Sequence, residues 1–248
     1  MKQKLGQNFL IDKNVAEREI KYADITNNDI VLEIGPGKGI LTKLLADSAK
    51  KVIAIEIDMS LINKLKKTIP ENVELIYGDC LKFDFKILPK FNKIVSNLPF
   101  QISSPITFKF LEHNFKSAVL IYQKEFADRM VAKPGSKEYS RLSVNTYYKA
   151  HCELLENIPS SRFRPQPNVD SCMIKLVPRK NPPFTVDSEE FFFDLTRKLF
   201  NFRRKKIGTI IKDQYNVKNN QMPFIEQRVE TLTPEQIGML SNCLYKSI

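Results

Sequence analysis

The chain has 248 residues, of which 42% are hydrophobic and 27% charged, as in an ordinary globular protein. No apolar run is long enough to cross a bilayer, and the start MKQKLGQNFLIDKN lacks the apolar core of a secretory signal. We therefore expect a cytoplasmic protein without membrane association. We also expect it to be a monomer.

The charge is strongly positive, with a formal net charge of +11 and an isoelectric point near 9.4. Each Lys or Arg that neutralises a phosphate releases counterions, so this excess favours a polyanionic partner such as RNA. Charge alone fits a protein with a merely basic surface equally well. The cysteines at 80, 152, 172 and 243 form no Cys-x-x-Cys pair, and neither histidine has a partner at metal-ligand spacing. We expect no disulfide, no metal site and no histidine-based mechanism.

From residue 30 onward, apolar strand-like runs alternate with runs of helical periodicity. The strand-like runs are DIVLEIG, KVIAIEID, VELIYGD, NKIVSNLPF and SAVLIYQKE, interleaved with the helical runs GILTKLLADS, SLINKLKKTI and ITFKFLEHN. HCELLENI and DSCMIKLVP follow as two closing strands, which we expect to be antiparallel. The pattern predicts an α/β fold with a doubly wound, mostly parallel, Rossmann-like sheet that binds ligands beyond the carboxyl ends of its strands.

A proline-rich stretch from Pro178 to Phe184 marks the predicted domain boundary. Residues 1–180 would form the larger domain and residues 181–248 a small, all-helical one. We predict helices at SEEFFFDLTRKLF, at FRRKKIGTII and from Thr233 onward. The last start is well marked, because Thr233 and Gln236 form a capping box around Pro234 at the first helical position.

Glycines and acidic residues collect where the predicted strands end. Gly35, Gly37 and Gly39 form a turn after the first strand, Glu56 ends the second strand, and Asp79 ends the third. A carboxylate at Glu56 can accept hydrogen bonds from both hydroxyls of a ribose, and Asp79 can accept one from an adenine amino group. Each acid alone is equally well explained as a turn or solvated residue. Together they indicate a cofactor that contains adenosine, either NAD or S-adenosylmethionine.

The fourth strand distinguishes these cofactors, because it ends in the motif Asn97-Leu-Pro-Phe100. An adenine amine is a poor nucleophile, since its lone pair is delocalised into the ring. The Asn97 side-chain oxygen can hold one N–H and the Leu98 carbonyl the other, with the Pro99 carbonyl as a further candidate. Phe100 offers a face for stacking on the base. In isolation the motif could be a plain strand terminus, but with the glycine turn and the two acids it predicts methylation of an adenine amine.

Several long segments carry a family resemblance. They are MKQKLGQNFLID, VLEIGPGKGILT, VIAIEID, GDCLKFD, VSNLPFQISSPI and RFRPQPNVDS, which extend in order from about Lys2 to about Pro178. They resemble the small-subunit dimethyladenosine transferases among the ribosomal RNA adenine dimethyltransferases, relatives of the erythromycin-resistance methylases. The resemblance implies a class I methyltransferase sheet and dimethylation of adenine N6 by S-adenosylmethionine, at two neighbouring adenosines near the 3′ end of small-subunit ribosomal RNA. The partners would be this RNA and the pre-ribosomal small subunit.

The resemblance also implies roles for single residues. Asn97 through Phe100 would form the methyl-acceptor site. The implied cofactor-binding residues are Gln7, Asn8 and Leu10 from the N-terminal segment, Gly35 at the methionine end, Glu56 at the ribose, Asp79 at the adenine, and also Gly37 and Asn97.

Contact with RNA calls for a target base that is unpaired or flipped out, because stacking hides the amino group. The family places Phe163 beside that base, where a second stacking role and simple core packing are equally acceptable. Arg162 and Arg164 flank it and are candidates for phosphate contact. We also expect the basic run Arg203, Arg204, Lys205 and Lys206 to open a helix with Ile207, Ile210 and Ile211 buried. This run is predicted to bind RNA, although a solvated helix face is the alternative.

Three other functions are considered. An erythromycin-resistance-type methylase of large-subunit RNA is disfavoured by PNVDS and FRRKK, which look more like the small-subunit enzymes. An NAD-dependent oxidoreductase is disfavoured because the glycine turn is not G-x-G-x-x-G. A non-enzymatic ribosome-assembly factor is disfavoured by the intact Asn97, Pro99 and Phe100, although binding and catalysis can coexist.

Overall fold

The computed structural model describes residues 7–217 and 222–248, so the first six residues of the N-terminal motif lie outside the described part. The chain divides into two compact units. One comprises Met1–Ala127 and His151–Pro178, and the other comprises Asp128–Ala150 and Arg179–Ile248. None of the described helices combines the length and apolar character that a bilayer crossing requires.

The first unit contains two sheets. In the small one, β1 (Phe9–Leu10) pairs antiparallel with β8 (Phe163–Arg164). The large one has the strand order β4-β3-β2-β5-β6-β9-β7. The strands from β4 to β6 pair in parallel, and β6 pairs antiparallel with β9. Its strands are β2 (Ile30–Ile34), β3 (Lys51–Glu56), β4 (Val73–Tyr77), β5 (Lys93–Asn97), β6 (Ser117–Gln123), β7 (Ala150–Ile158) and β9 (Ser171–Pro178).

The central strands are continuous apolar runs because helices cover the sheet. Leu32, Ile53, Ile94 and Leu120 have no exposed surface. The predicted doubly wound, mostly parallel α/β fold is confirmed. The helices of this part of the chain are α1 (Lys13–Ala23), α2 (Ile40–Ser48), α3 (Met59–Leu65), α4 (Ser103–Leu111) and α5 (Lys124–Met130).

The second unit is helical. Its helices are α6 (Arg141–Lys149), α7 (Glu189–Asn201), α8 (Ile207–Tyr215) and α9 (Pro234–Tyr245). The second of its two segments begins at Arg179, close to the predicted boundary. The first segment, residues 128–150, was predicted to belong to the larger domain. The reason is packing, because Tyr139 and Tyr148 belong to the core that these helices form.

All three helices predicted for residues 181–248 are present, and the first of them is α7 at Glu189–Asn201. The start of α9 is confirmed, since the Thr233 hydroxyl accepts the Gln236 N–H at 3.3 Å and Gln236 Oε1 accepts the Thr233 N–H at 2.9 Å. The prediction that the run 203–206 opens a helix is wrong, because α8 begins at Ile207 and Lys206 has an extended backbone with φ −65° and ψ 145°. The expected buried stripe is confirmed at Ile207, Ile210 and Ile211.

A buried ion pair lies at the amino-terminal edge of the sheet. Lys93 Nζ is 3.1 Å from Asp29 Oδ2, and only 10% and 5% of the two side chains are exposed. Asp29 also accepts hydrogen bonds from Thr26 and Asn92. Burial alone would raise the pKa of Asp29, but the hydrogen bonds from Thr26, Asn92 and Lys93 outweigh it and lower the pKa to about 2.

Replacing Asp29 with alanine is expected to lower the free energy of unfolding at pH 7 by about 3 kcal/mol, because Lys93 would stay buried without its counter-charge. The control is Glu74→Ala in the exposed Lys51–Glu74 pair, expected to cost less than about 1 kcal/mol. Both are measured by urea denaturation.

The Asp29 contribution has a defined pH window. Because its folded pKa is lowered from 3.8 to about 2, the stabilisation is complete above the ordinary value and disappears as the pH falls through the folded one. The difference in the free energy of unfolding between wild type and Asp29→Ala should therefore become smaller as the pH falls from 4 to 2. Equal costs for the two variants at pH 7 would contradict the assignment.

Candidate functional site

A cleft opens in the first unit at the carboxyl ends of β2, β3, β4 and β5, where the strand order reverses between β2 and β5. Its empty volume, open mouth included, is about 1020 Å³. Most of the predicted cofactor and acceptor residues line it, namely Gln7, Asn8, Leu10, Gly35, Gly37, Glu56, Asp79, Asn97 and Pro99.

The glycine turn leaves no room for a side chain at Gly37. Its φ is +57°, and a Cβ there would lie 2.9 Å from Cδ1 of Phe9. The Gly37 N–H donates to Glu56 Oε2 at 3.2 Å. The turn therefore brings bare backbone against both the N-terminal segment and the end of β3.

Glu56 is held rigidly at the end of β3. Its side chain is buried, and Oε1 accepts the N–H groups of Ile57 and Asp58, both at 2.9 Å. Burial raises the pKa of Glu56, and the three backbone hydrogen bonds oppose that rise. Oε2 accepts the single bond from Gly37 and keeps acceptor capacity for a hydroxyl in the cleft.

The N-terminal segment is tied down by residues that follow β7. The Ile11 N–H donates to the Arg162 carbonyl at 2.9 Å, next to the pairing of β1 with β8. Arg162 also forms an ion pair of 2.8 Å with Asp12, which caps α1 through the N–H of Asn14. Arg162 was predicted to contact RNA, and that contact stays a prediction, since the side chain is exposed beside this ion pair.

Phe163 was predicted either to stack on the target base or to pack in the core. The structure shows core packing, because the side chain is 2% exposed and belongs to the main apolar cluster of the first unit. A ring so buried offers no face to a base, which corrects the predicted stacking role. Arg164 is exposed, so its predicted RNA contact stays a prediction.

The acceptor motif follows β5. Within the described residues no hydrogen bond to the Asn97 side-chain amide or to the Leu98 carbonyl is found, whereas the Pro99 carbonyl accepts the Ile102 N–H at 3.1 Å. Leu98 points its side chain into the core at 2% exposure and can serve only through its backbone. Phe100 is half-buried and does not line the cleft, so its stacking role also stays a prediction.

Two carboxyl groups that the sequence analysis did not single out are buried near the glycine turn. Glu33 of β2 lines the cleft, and Glu19 of α1 has no exposed surface. In the described part of the chain, neither Glu19 oxygen has a hydrogen-bond partner, nor does Glu33 Oε2. Burial raises the pKa of Glu33 to about 8, and burial together with the nearby Glu33 raises the pKa of Glu19 well above its usual range. Position at the end of an apolar strand could have indicated Glu33, but nothing local indicates Glu19.

The basic run of the second unit is largely engaged within the protein. Arg203 donates to Glu230 at 2.7 Å and to the carbonyls of Ser136 and Lys137. Arg203 therefore has a structural role, and its predicted RNA contact stays a prediction. Lys205 and Lys206 form exposed ion pairs with acidic neighbours, and Arg204 is exposed.

Fold and site together define a Rossmann-like class I methyltransferase. The profile of the family described as "Ribosomal RNA adenine dimethylase" matches residues 1–246. The chain belongs to this family, whose members depend on S-adenosylmethionine. An NAD-dependent oxidoreductase is thereby excluded.

Several relatives resemble the chain over nearly its full length. The protein from Methanococcus vannielii named "Probable ribosomal RNA small subunit methyltransferase A" is 47% identical over 265 residues, covering 100% of this chain and 98% of its own. A protein of the same name from Thermococcus onnurineus is 47% identical, and the match covers 94% of this chain and 88% of that protein.

Two solved structures show the same architecture. A dimethyladenosine transferase from Plasmodium falciparum has a TM-score of 0.81 and 32% identity, covering 96% of this chain and 98% of its own. The 23S rRNA methyltransferase ErmE has a TM-score of 0.68 and 28% identity, and the match covers 96% of this chain and 100% of that one.

Replacing Glu19 with leucine is expected to make stability depend less on pH. Because the folded pKa of Glu19 is raised, the wild type loses stability as the pH rises from its ordinary value of 4.5 through the folded value. The stability difference, variant minus wild type, should therefore grow between pH 5 and pH 8, by on the order of 1 kcal/mol or more. Glu17→Leu, on the exposed face of the same helix, should show no such growth. If the stability difference grew equally for both variants, the raised pKa of Glu19 would be refuted.

Replacing Gly37 with alanine is expected to weaken binding of S-adenosylhomocysteine at least about tenfold, because the new methyl group displaces Phe9. Isothermal titration calorimetry measures the affinity. Gly135→Ala is the matched control, since its φ is +83° but nothing lies within 4 Å of the new Cβ. It should cost about 1 kcal/mol of stability and leave the affinity unchanged. Equal affinities for the two variants would argue against close packing at Gly37.

Proposed function

We propose that this protein dimethylates N6 of two adjacent adenosines near the 3′ end of small-subunit ribosomal RNA during ribosome biogenesis. The observation that carries the proposal is the convergence of Glu56, Asp79 and Asn97 on one cleft beside the glycine turn. Relatives at 45–49% identity named for the small subunit support this substrate over large-subunit RNA. The likeness to ErmE is lower, at 28% identity.

The donor would be held by residues already fixed in position. Glu56 accepts the ribose hydroxyls, and Asp79 accepts the adenine amino group. The buried Glu33 Oε2, which lacks a hydrogen-bond partner in the described part of the chain, fits the ammonium of the methionine end. Gln7 and Asn8 close the cleft from the N-terminal segment. Gln7 is itself anchored by a hydrogen bond to Asp58. The side-chain hydrogen bond from Ser60 is the main cause that lowers the pKa of Asp58, and the one from Gln7 lowers it further.

S-adenosylmethionine supplies an electrophilic methyl group when bound. The Asn97 side-chain oxygen and the Leu98 carbonyl hold the two N–H groups of the target amine. They turn the nitrogen lone pair toward the donor and stabilise the positive charge that grows on it. Leu98 is a better acceptor than Pro99, because the Pro99 carbonyl already receives the Ile102 N–H. Phe100 would stack on the extruded base.

The RNA backbone would be bound by the exposed cations that remain from the sequence prediction. These are Arg162 and Arg164 in the first unit, and Arg204, Lys205 and Lys206 in the second. The ion pairs of Lys205 and Lys206 are exposed, so a phosphate can replace their carboxylate partners at little cost.

We further propose that the enzyme acts as a cytoplasmic monomer on the assembling small subunit.

Replacing Asn97 with alanine is expected to lower kcat by about 10²- to 10³-fold, because one preorganised acceptor is lost at the reacting nitrogen. The assay is transfer of tritiated methyl groups to under-methylated small subunits, followed by mass spectrometry of the nucleosides. Asn28→Ala, which changes an exposed asparagine before β2, should leave kcat unchanged.

The same variant separates catalysis from a pure assembly role. If Asn97→Ala loses methylation and also fails to restore growth of a deletion strain, catalysis is the required function. Full growth without methylation would favour the assembly factor. If Asn97→Ala kept the wild-type kcat, the proposed acceptor site would be wrong.

A further inference from the structure

Lys109, on α4, directs its ammonium group into the turn that follows β4. Its Nζ donates to the carbonyl oxygens of Cys80 at 2.9 Å, of Leu81 at 3.0 Å, and of Phe83. It also lies 4.5 Å from the centre of the Phe85 ring. All three N–H bonds of the ammonium are thus accepted by backbone carbonyls of one short turn.

The same turn begins with Asp79, which lines the cleft. Asp79 Oδ1 accepts the Leu81 N–H at 3.0 Å. The Asp79 carbonyl accepts the N–H groups of Lys82 at 3.0 Å and Phe83 at 2.9 Å. This pattern commits one carboxylate oxygen to the turn and leaves Oδ2 for a ligand in the cleft. The direction of Oδ2 therefore depends on the conformation of residues 80–83.

That conformation brings three carbonyl dipoles toward one point, which is unfavourable unless a cation lies there. Lys109 supplies the cation from a half-buried position. The helix that carries it is fixed against the turn, because Phe110 stacks on Phe85 with ring centres 6.2 Å apart. The same helix starts shortly after the acceptor motif at Phe100, so Lys109 links the acceptor segment to the turn of Asp79.

We propose that Lys109 is a positioning residue for donor recognition, which acts by holding the 80–83 turn so that Asp79 can receive the adenine amino group. The proposal rests on the proposed function, which assigns that amino group to Asp79. Lys109 touches neither donor nor RNA in this account. Its loss should therefore change selectivity for the adenine ring rather than the chemistry of transfer.

The test compares S-adenosylhomocysteine with S-inosylhomocysteine, in which an oxygen replaces the adenine amino group. By calorimetry, the wild type should prefer the adenine compound at least about tenfold, because the inosine compound cannot donate to Asp79. Lys109→Met should bind S-adenosylhomocysteine about tenfold more weakly and S-inosylhomocysteine almost as before, which removes most of the preference. The KM for donor should rise about tenfold, while kcat changes less than about threefold.

The matched control is Lys82→Met, which removes an exposed lysine from the same turn and should keep both affinities. Lys109→Arg keeps the charge and should restore part of the preference. In a double-mutant cycle, Lys109→Met combined with Asp79→Ala should bind no more weakly than Asp79→Ala alone. Thermal unfolding of each variant confirms that the folded state is being measured.

The outcomes distinguish the inference from the function on which it rests. A wild type that transfers no methyl group refutes the proposed function itself. A wild type that is active and selective, with a Lys109→Met variant that keeps the selectivity, overturns the role of Lys109 alone. Equal weakening of both ligands in the variant, or additive effects in the cycle, would likewise reduce Lys109 to general structural support and overturn the inference.

Discussion

Gly35 and Gly37 have no side chains, and neighbouring segments pack directly on their backbone. A Cβ on Gly37 would lie 2.9 Å from Phe9, and a Cβ on Gly35 would lie 3.5 Å from Pro99. The N-terminal segment and the acceptor motif therefore close on the same turn. Glu56 is attached to it as well, through the N–H of Gly37. Because these three segments share this piece of backbone, their relative geometry is set by the fold before any ligand binds.

Charge is distributed unevenly in this basic protein. The formal net charge is +11, yet the cleft is lined by the carboxyl groups of Glu33, Glu56 and Asp79. A donor with a sulfonium and an ammonium group is attracted to such a cleft, whereas RNA phosphates are repelled from it. Glu33, with its pKa raised to about 8, can stay neutral in the free protein and ionise when a cation approaches. The acids thus make this cleft favourable for a cationic ligand and unfavourable for a polyanion.

The sheet and the cleft could be predicted because they follow local rules. Continuous apolar runs indicate buried parallel strands, and parallel strands bring the residues at their carboxyl ends, such as Glu56 and Asp79, to one edge. Long-range packing could not be predicted. Residues 128–150 join the second unit through Tyr139 and Tyr148, whose partners lie far along the chain. The start of α8 was missed because Lys206 forms a bridge with Arg228 in place of a first helical turn.

The basic residues show why charge is a weak guide to function until its partners are known. Arg162 forms an ion pair with Asp12, and Arg203 donates hydrogen bonds to Glu230 and to two backbone carbonyls. Lys109 follows the same pattern with three carbonyls. A cation whose donors are satisfied by backbone carbonyls fixes a loop, because moving it would leave buried acceptors unpaired. An exposed cation such as Arg204 has no such cost and is free to release counterions when it meets a phosphate. Hydrogen bonding therefore separates the cations that fix loops from the cations that remain available to a polyanion, although their charge is the same.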